Sequence, residues 1–522
     1  MNNIHPAAET PAPPAHDRIV SRSTAWRWFD ENILELGREL RLSYLPPLMV
    51  YMAAGISGLT GIVGTFFVKE YLGLSAAFLA ALGFWAGIPW ALKMPLGHLV
   101  DLIWRWKSWL VYFGAGLIAA SLFIMVGLIA EVPRIDENGR PIDPEQRKLM
   151  HTTMQTLGRV AIIGGTVIVA LINLYVFGGT QDLPAVEKAR LYLQIYEMAL
   201  VIPVISVLGV MTAAALKVRE LRRLVARGMS PHEAAALLSE PGERPAPNWW
   251  ILGGGLVFVL FTLAMGLSDI PFNPEVIFAG SFAIVSFLVV RLTRELEPAA
   301  RETLIGTAIV IFIFRAIPSS GAGIQWWMID VLGFDQQFFS VLSLIASALT
   351  LAGMFIFRRF MAERSIAYIV GFLTVLGTLL ALPFVGMYYG LHEWTARVTG
   401  GVVDARFIAL VDTALESPLG QIAMIPMLAW IARCAPSNLK ATYFAVMASF
   451  TNLALSLSQL GTKYLNQVFT VTREVKDPVS RVIEVPADYS QLGELLIAQV
   501  VIGLALPFAA ILFARFSQFR SA

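Results

Sequence analysis

Apolar runs of roughly 17–25 residues, long enough to cross a bilayer as helix, recur about thirteen times between residues 44 and 515 of this chain. A segment lying in hydrocarbon must satisfy its backbone polar groups internally, so a chain assembled from such runs folds as a bundle of helices. With 57% apolar and 15% charged residues, this is more apolar sequence than any water-soluble core requires. The fold class read from the chain is an all-α, multi-pass membrane protein in the lipid bilayer. A formal net charge of +2 offers no footprint for nucleic acid. The single cysteine, Cys434, excludes an intramolecular disulfide and a CxxC metal site; no metal and no cofactor are expected. Residues 1–43 show no apolar leader core and are read as a cytoplasmic tail. Within them, 24–41 is either an amphipathic helix on the membrane surface or a solvated one.

The chain repeats itself. KEYLGLSAAFLAAL at 69–82 realigns with IDVLGFDQQFFSVL at 329–342, an offset of about 260. Leu72-Gly73-Leu74 falls over Leu332-Gly333-Phe334, Phe78 over Phe338, and Ser75 and Asp335 at the same helix N-cap. Two related halves of six helices make the major facilitator architecture, which places a substrate site near the midplane between them. The halves are read as 44–291 and 304–522 with a linker at 292–303. One of the runs 250–267 and 275–291 is an addition between the halves or a half-spanning element, broken at SDIPFNP. Arg291, Arg294, Arg358, Arg359, Arg364 and the cluster LKVRELRRLVAR at 216–227 all suit the cytoplasm, as does Lys107. Three apparent crossings between Lys107 and that cluster forbid both. Either one segment between 108 and 217 does not span, or the cluster breaks the rule.

Charges inside the runs point to function. A full charge in hydrocarbon is costly unless it meets a partner or a water-filled cavity, so intramembrane charges mark a transport path by default. At about 1.5 Å per residue, Arg315 lies roughly 16 Å and Glu416 roughly 15 Å into their runs, near the middle of a core about 30 Å thick. Asp412 is one turn from Glu416 on the same face, and two like charges so close suit one of them to carry a proton. The competing reading is a buried ion pair between Arg315 and one acid. Lys93 lies near the cytoplasmic end of its run and either snorkels, pairs with Asp101 or touches substrate. Gly97, Asp101 and Arg105 keep a G-x-x-x-D-x-x-x-R spacing that suits a gating latch on a short cytoplasmic loop. Glu197 is read as facing interface water, with proton coupling as the alternative. Asn173, Asn452 and Gln459 are interhelical glue or ligands. Trp326 and Trp327 stack on a flat substrate or, the favoured reading, belong to the interfacial aromatic belt.

The residues resemble one family in particular. GISGLTGIVGTFFVKEYLGLS with PWALKMPLGHLVD, RAIPSSGAGIQWWMIDVLGFD, and SPLGQIAMIPMLAWIARCAPSNLKATYFAVMASFTNLALSLSQLGTKYL are similar to helices of the folate-biopterin transporters. The likeness covers roughly 44–112 and 304–468, while 131–291 shows little match and Met94 stands where that family has proline. The resemblance implies proton-driven secondary transport of folates, biopterin or similar pteridines. Such a cargo pairs carboxylates with a flat, hydrogen-bonding ring, so its site calls for a cation, a carboxyl and aromatic faces. Arg315, Glu416, Asp412, Trp326 and Lys93 are the candidate substrate contacts, with Asp412 and Glu416 also candidates for proton coupling.

Enzyme signatures are absent from the sequence: there is no Walker A, HExxH or GxSxG motif. The expectation is a monomeric transporter in a bacterial cytoplasmic (inner) membrane. The alternatives are a facilitator for an unrelated organic solute and a non-transport assembly factor on the same scaffold.

Overall fold

The computed structural model describes residues 45–56, 75–91, 144–177, 201–238, 248–268, 270–357, 364–420, 440–476 and 483–517, with isolated positions between 187 and 198 and at 360 and 422. The helices are α1 (Leu45–Ile56), α2 (Ala76–Ala91), α3 (Pro144–Phe177), α4 (Val201–Ala226), the short α5 (Pro231–Leu238), α6 (Trp249–Gly266) and α7 (Asn273–Leu292). They continue as α8 (Pro298–Arg315), α9 (Gly323–Asp330), α10 (Gln336–Ile356), α11 (Ile366–Tyr388), α12 (Leu391–Val398), α13 (Ala405–Glu416), α14 (Lys440–Val468) and α15 (Leu492–Phe516). Between the last two stands a ribbon of β1 (Val475–Lys476) and β2 (Ile483–Val485), antiparallel, the one pair of strands among the described residues of a chain read as all-α.

Among the described residues, α6, α7, α10, α11 and α15 are each long and apolar enough to cross a membrane. Their outward faces say the same: Leu256, Val257, Leu260 and Leu263 of α6 are each more than half exposed. A water-soluble protein would hide so continuous an apolar strip, whereas lipid covers it without penalty.

The repeat is visible in atomic detail. Ser75 caps α2 by accepting from the Phe78 N–H at 3.1 Å, and Asp335 caps α10 by accepting from the Phe338 N–H at 2.7 Å. These are the aligned positions in the two copies, and each side chain satisfies one amide that the first helical turn leaves open. The packing partners correspond as well: α2 lies along α14, and its counterpart α10 lies along α3. Backbones approach closely where the sequence is small. A Cβ on Gly55 of α1 would collide with the Ile162 carbonyl of α3, and one on Gly165 with that of Met52.

The segment around SDIPFNP joins two full-length helices, so the half-spanning alternative falls. Asn273 closes this turn by donating from Nδ2 to the Ser268 carbonyl at 2.7 Å, and Pro274 opens α7 where a missing N–H costs nothing. The α6–α7 hairpin packs through α7 onto α14, with Phe282 of α7, Phe312 of α8 and Phe450 of α14 meeting at ring-centroid distances of 4.9–6.1 Å. Both α6 and α7 are long and apolar enough to cross, and two crossings return Arg291 and Arg294 to the side of 216–227, the arrangement that the positive-inside rule favours. The conflict with Lys107 is therefore confined to the chain before α4, where residues 92–143 lie outside the described ones.

Candidate functional site

The helix that carries Arg315 begins at Pro298, earlier than the apolar run suggests, and Arg315 is its last residue. Beyond it the chain leaves helical form for Ala316–Ala322 and resumes as α9. Pro318 has no N–H to continue the ladder, and Gly321 takes φ +73°, a left-handed conformation that glycine adopts without strain. In hydrocarbon such a break needs replacement partners. One face of α14 supplies them from positions four apart. Ser458 Oγ donates to the Ile317 carbonyl at 2.6 Å, Thr462 Oγ1 accepts from the Ser319 N–H at 2.9 Å, and Asn466 Nδ2 donates to the Ser320 carbonyl at 3.2 Å. Thr462→Val keeps the shape but leaves the Ser319 amide open. It should destabilise the protein by about 1–3 kcal/mol, read as a lowered unfolding temperature, with Thr462→Ser close to wild type.

A second interruption lies beside the acids. The sequence reads 406–432 as one uninterrupted run, but α13 ends at Glu416 and gives way to a 3-10 turn over Ser417–Leu419. Pro418 is the reason, since its ring cannot donate into the ladder. The turn is fastened to α10, where Thr350 Oγ1 donates to the Ser417 carbonyl at 2.8 Å and Pro418 lies directly on Gly353. At the other end Asp404 caps α13, accepting from the Phe407 N–H at 2.8 Å. Arg315 and Glu416 therefore each end a helix at a backbone break, a relation that depth counting does not reveal.

Asp412 is 4% exposed, its Oδ1 has no hydrogen-bond partner, and no described basic side chain lies within ion-pair distance of it. The charge it feels is that of Glu416, its neighbour one turn on, which is the more exposed of the two. In the competing reading, Arg315 pairs with one of the two acids; with Asp412 that pair is not formed in this conformation. Arg315 is half-buried and engaged by another group.

Trp326 and Trp327 are 1% and 4% exposed, which overturns the favoured belt reading, because belt residues face the lipid headgroups. A buried cation covers Trp326 instead: the Arg473 guanidinium, carried in by the segment before β1, stands 5.8 Å over its ring. Burial draws the Arg473 guanidinium below its ordinary pKa, while Asp330 and Tyr489 oppose the shift. Tyr489 donates its hydroxyl to Asp330, and burial together with that bond pushes the phenol well above its usual range. These residues close the end of α9.

Asn173 is fully buried, and neither end of its carboxamide finds a partner, so it is not serving as interhelical glue in this conformation. Gln459 packs against Gly83 in the α2–α14 seam, an interhelical contact. Glu197 is exposed. One interhelical ion pair escaped the sequence reading: Lys463 Nζ of α14 meets Glu275 Oε1 in the first turn of α7 at 2.7 Å, and the Tyr464 hydroxyl donates to the same oxygen at 2.7 Å. Lys463 stands in an apolar run and could have been flagged, but its partner is 188 residues away. Lys93, Gly97, Asp101 and Arg105 lie outside the described residues.

A model of the BT1 family matches residues 201–519. A folate-biopterin transporter of Synechocystis sp. is 23% identical over 454 residues, spanning 83% of this chain and 76% of its own length. Among solved structures, a POT family transporter in complex with a thioalcohol-conjugated peptide superposes with a TM-score of 0.52 at 12% identity, covering 92% of this chain and 96% of its own. The POT family transporter PepTSo superposes with a TM-score of 0.50 at 11% identity, covering 92% and 98%. At these identities the likeness concerns the fold alone, and that fold is the major facilitator one.

Proposed function

The chain belongs to the BT1 family and is an integral, multi-pass membrane transporter with the major facilitator fold; on that premise we propose that it moves a folate, biopterin or related pteridine or organic anion by proton-coupled alternating access. The observation that carries the proposal is Asp412, a carboxyl buried in the membrane run with no cation against it among the described residues and a second carboxyl one turn away. An ionised group so placed is expensive, and neutralising it with a proton is the way to relieve the cost when no counter-ion is present. Arg315, at the mouth of the α8–α9 break, is the proposed anion contact. Asn173 offers a buried donor and acceptor of the kind that the edge of a pterin pairs with. Trp326, covered by Arg473 in this conformation, becomes a stacking surface only where that cover lifts. Glu416 shares the coupling role with Asp412, Lys93 is the reserve cation, and Gly97, Asp101 and Arg105 form the cytoplasmic latch. The protein works as a monomer in a bacterial cytoplasmic membrane.

Reconstituted vesicles test this directly. With an acid exterior and neutral lumen, radiolabelled folate or biopterin should accumulate above its outside concentration, and a protonophore should collapse the gradient of solute. Accumulation that persists after the protonophore would overturn the coupling, and no uptake of either compound would exclude folate and biopterin as the cargo.

A further inference from the structure

We propose that the outward face of α4 binds an anionic phospholipid, acyl chain along Met211–Val218 and phosphate between Arg219 and Arg222. Val201, Val204, Leu208, Met211, Ala215 and Val218 recur at alternating three- and four-residue spacing and are all exposed, the five larger ones at 47–54%, so they form one continuous strip. The strip runs without interruption into Arg219 and Arg222, which with Ala215 and Val218 line a shallow depression of about 460 Å³. Apolar wall followed by paired cations is the order in which a phospholipid presents its own parts, tail and then phosphate.

The neighbouring charges leave this pair available. Glu220 is within 3.7 Å of Arg223, and no described carboxylate lies within ion-pair distance of Arg219 or Arg222. The opposite side of α4 is already covered. Leu224, about half a turn around from Ala215, is 1% exposed where α5 folds back with its buried Ala234, behind a turn fixed by Ser230 Oγ donating to Glu233 Oε2 at 2.7 Å. A second copy of the chain is the poorer occupant. Pairing two such strips about an axis along the membrane normal would set Arg219 and Arg222 against their own copies, and like charges in contact oppose association.

The test uses the full chain in detergent with dioleoylphosphatidylglycerol or dioleoylphosphatidylcholine as probe, reading lipid retention by native mass spectrometry and stabilisation by thermal shift. Phosphatidylglycerol should bind in preference to phosphatidylcholine. Arg219→Ala with Arg222→Ala should weaken it about thirtyfold, at about fivefold per cation near an anionic surface. Lys217→Ala with Arg227→Ala, which removes the same charge from other faces, should cost far less. Arg219→Gln with Arg222→Gln replaces the alanine pair if that pair does not fold. Equal loss in both double variants would overturn the site in favour of a diffuse field. Displacement by millimolar inorganic phosphate would overturn the lipid as ligand, and lipid-independent dimers lost in the arginine variants would assign the face to a second copy.

Discussion

Asp412→Asn should reduce uphill uptake to equilibration, an accumulation ratio of about one, while exchange of internal for external solute continues at a measurable rate. The amide has the shape of the carboxylic acid and cannot release a proton. A carrier that can no longer bind and release the coupling ion still alternates when loaded with solute, so exchange survives and accumulation does not. Stability separates this role from a structural one. Asp412 has no described counter-ion to strand, so the substitution should leave the unfolding temperature unchanged or slightly raised. A residue holding a hidden ion pair would instead cost about 3–5 kcal/mol when broken. Preserved accumulation in the Asn variant, with Glu416→Gln also wild type, would remove both acids from the coupling step.

Much of the scaffold was legible because hydropathy reports solvent, and solvent is what decides these helices. The spans at α6, α7, α10, α11 and α15 appear where the apolar runs stand. The repeat was legible for a different reason: Ser75 and Asp335 act within their own first turns, so local sequence contains the whole interaction. What sequence reading missed depends on partners far along the chain. The 469–489 gap reads as a loop, yet it carries Arg473 onto Trp326 and Tyr489 onto Asp330, turning a supposed belt tryptophan into a buried one. Lys463 and Glu275 escaped on the same grounds. The interruption after Glu416 was overlooked for another cause: Ser-Pro-Leu-Gly is apolar enough to pass a hydropathy window, while Pro418 acts through its missing N–H. The candidate charges themselves, Arg315, Asp412 and Glu416, were visible as soon as the runs were drawn. Their relation to the two helix breaks was not.

Arg315 should be the residue on which recognition of an anionic cargo most depends, and Arg315→Lys should weaken folate binding about tenfold to a hundredfold. The size follows from chemistry: a guanidinium holds a carboxylate through two parallel hydrogen bonds in a rigid fork, lysine offers one mobile point charge, and a charge-assisted bond is worth about 1.5–3 kcal/mol. Biopterin, which has no carboxylate, should lose much less. That contrast matters because Arg315 is already engaged in this conformation, so a purely structural role must be separated from recognition. If Arg315 mainly fastens the end of α8 beside the Ile317–Ser320 break, the lysine variant loses folate and biopterin alike and unfolds at a lower temperature. If it reads the anion, the protein stays folded and only the charged ligand suffers. Isothermal titration of both ligands against wild type and variant decides between these, and unchanged affinity for both would move the anion site to Lys93.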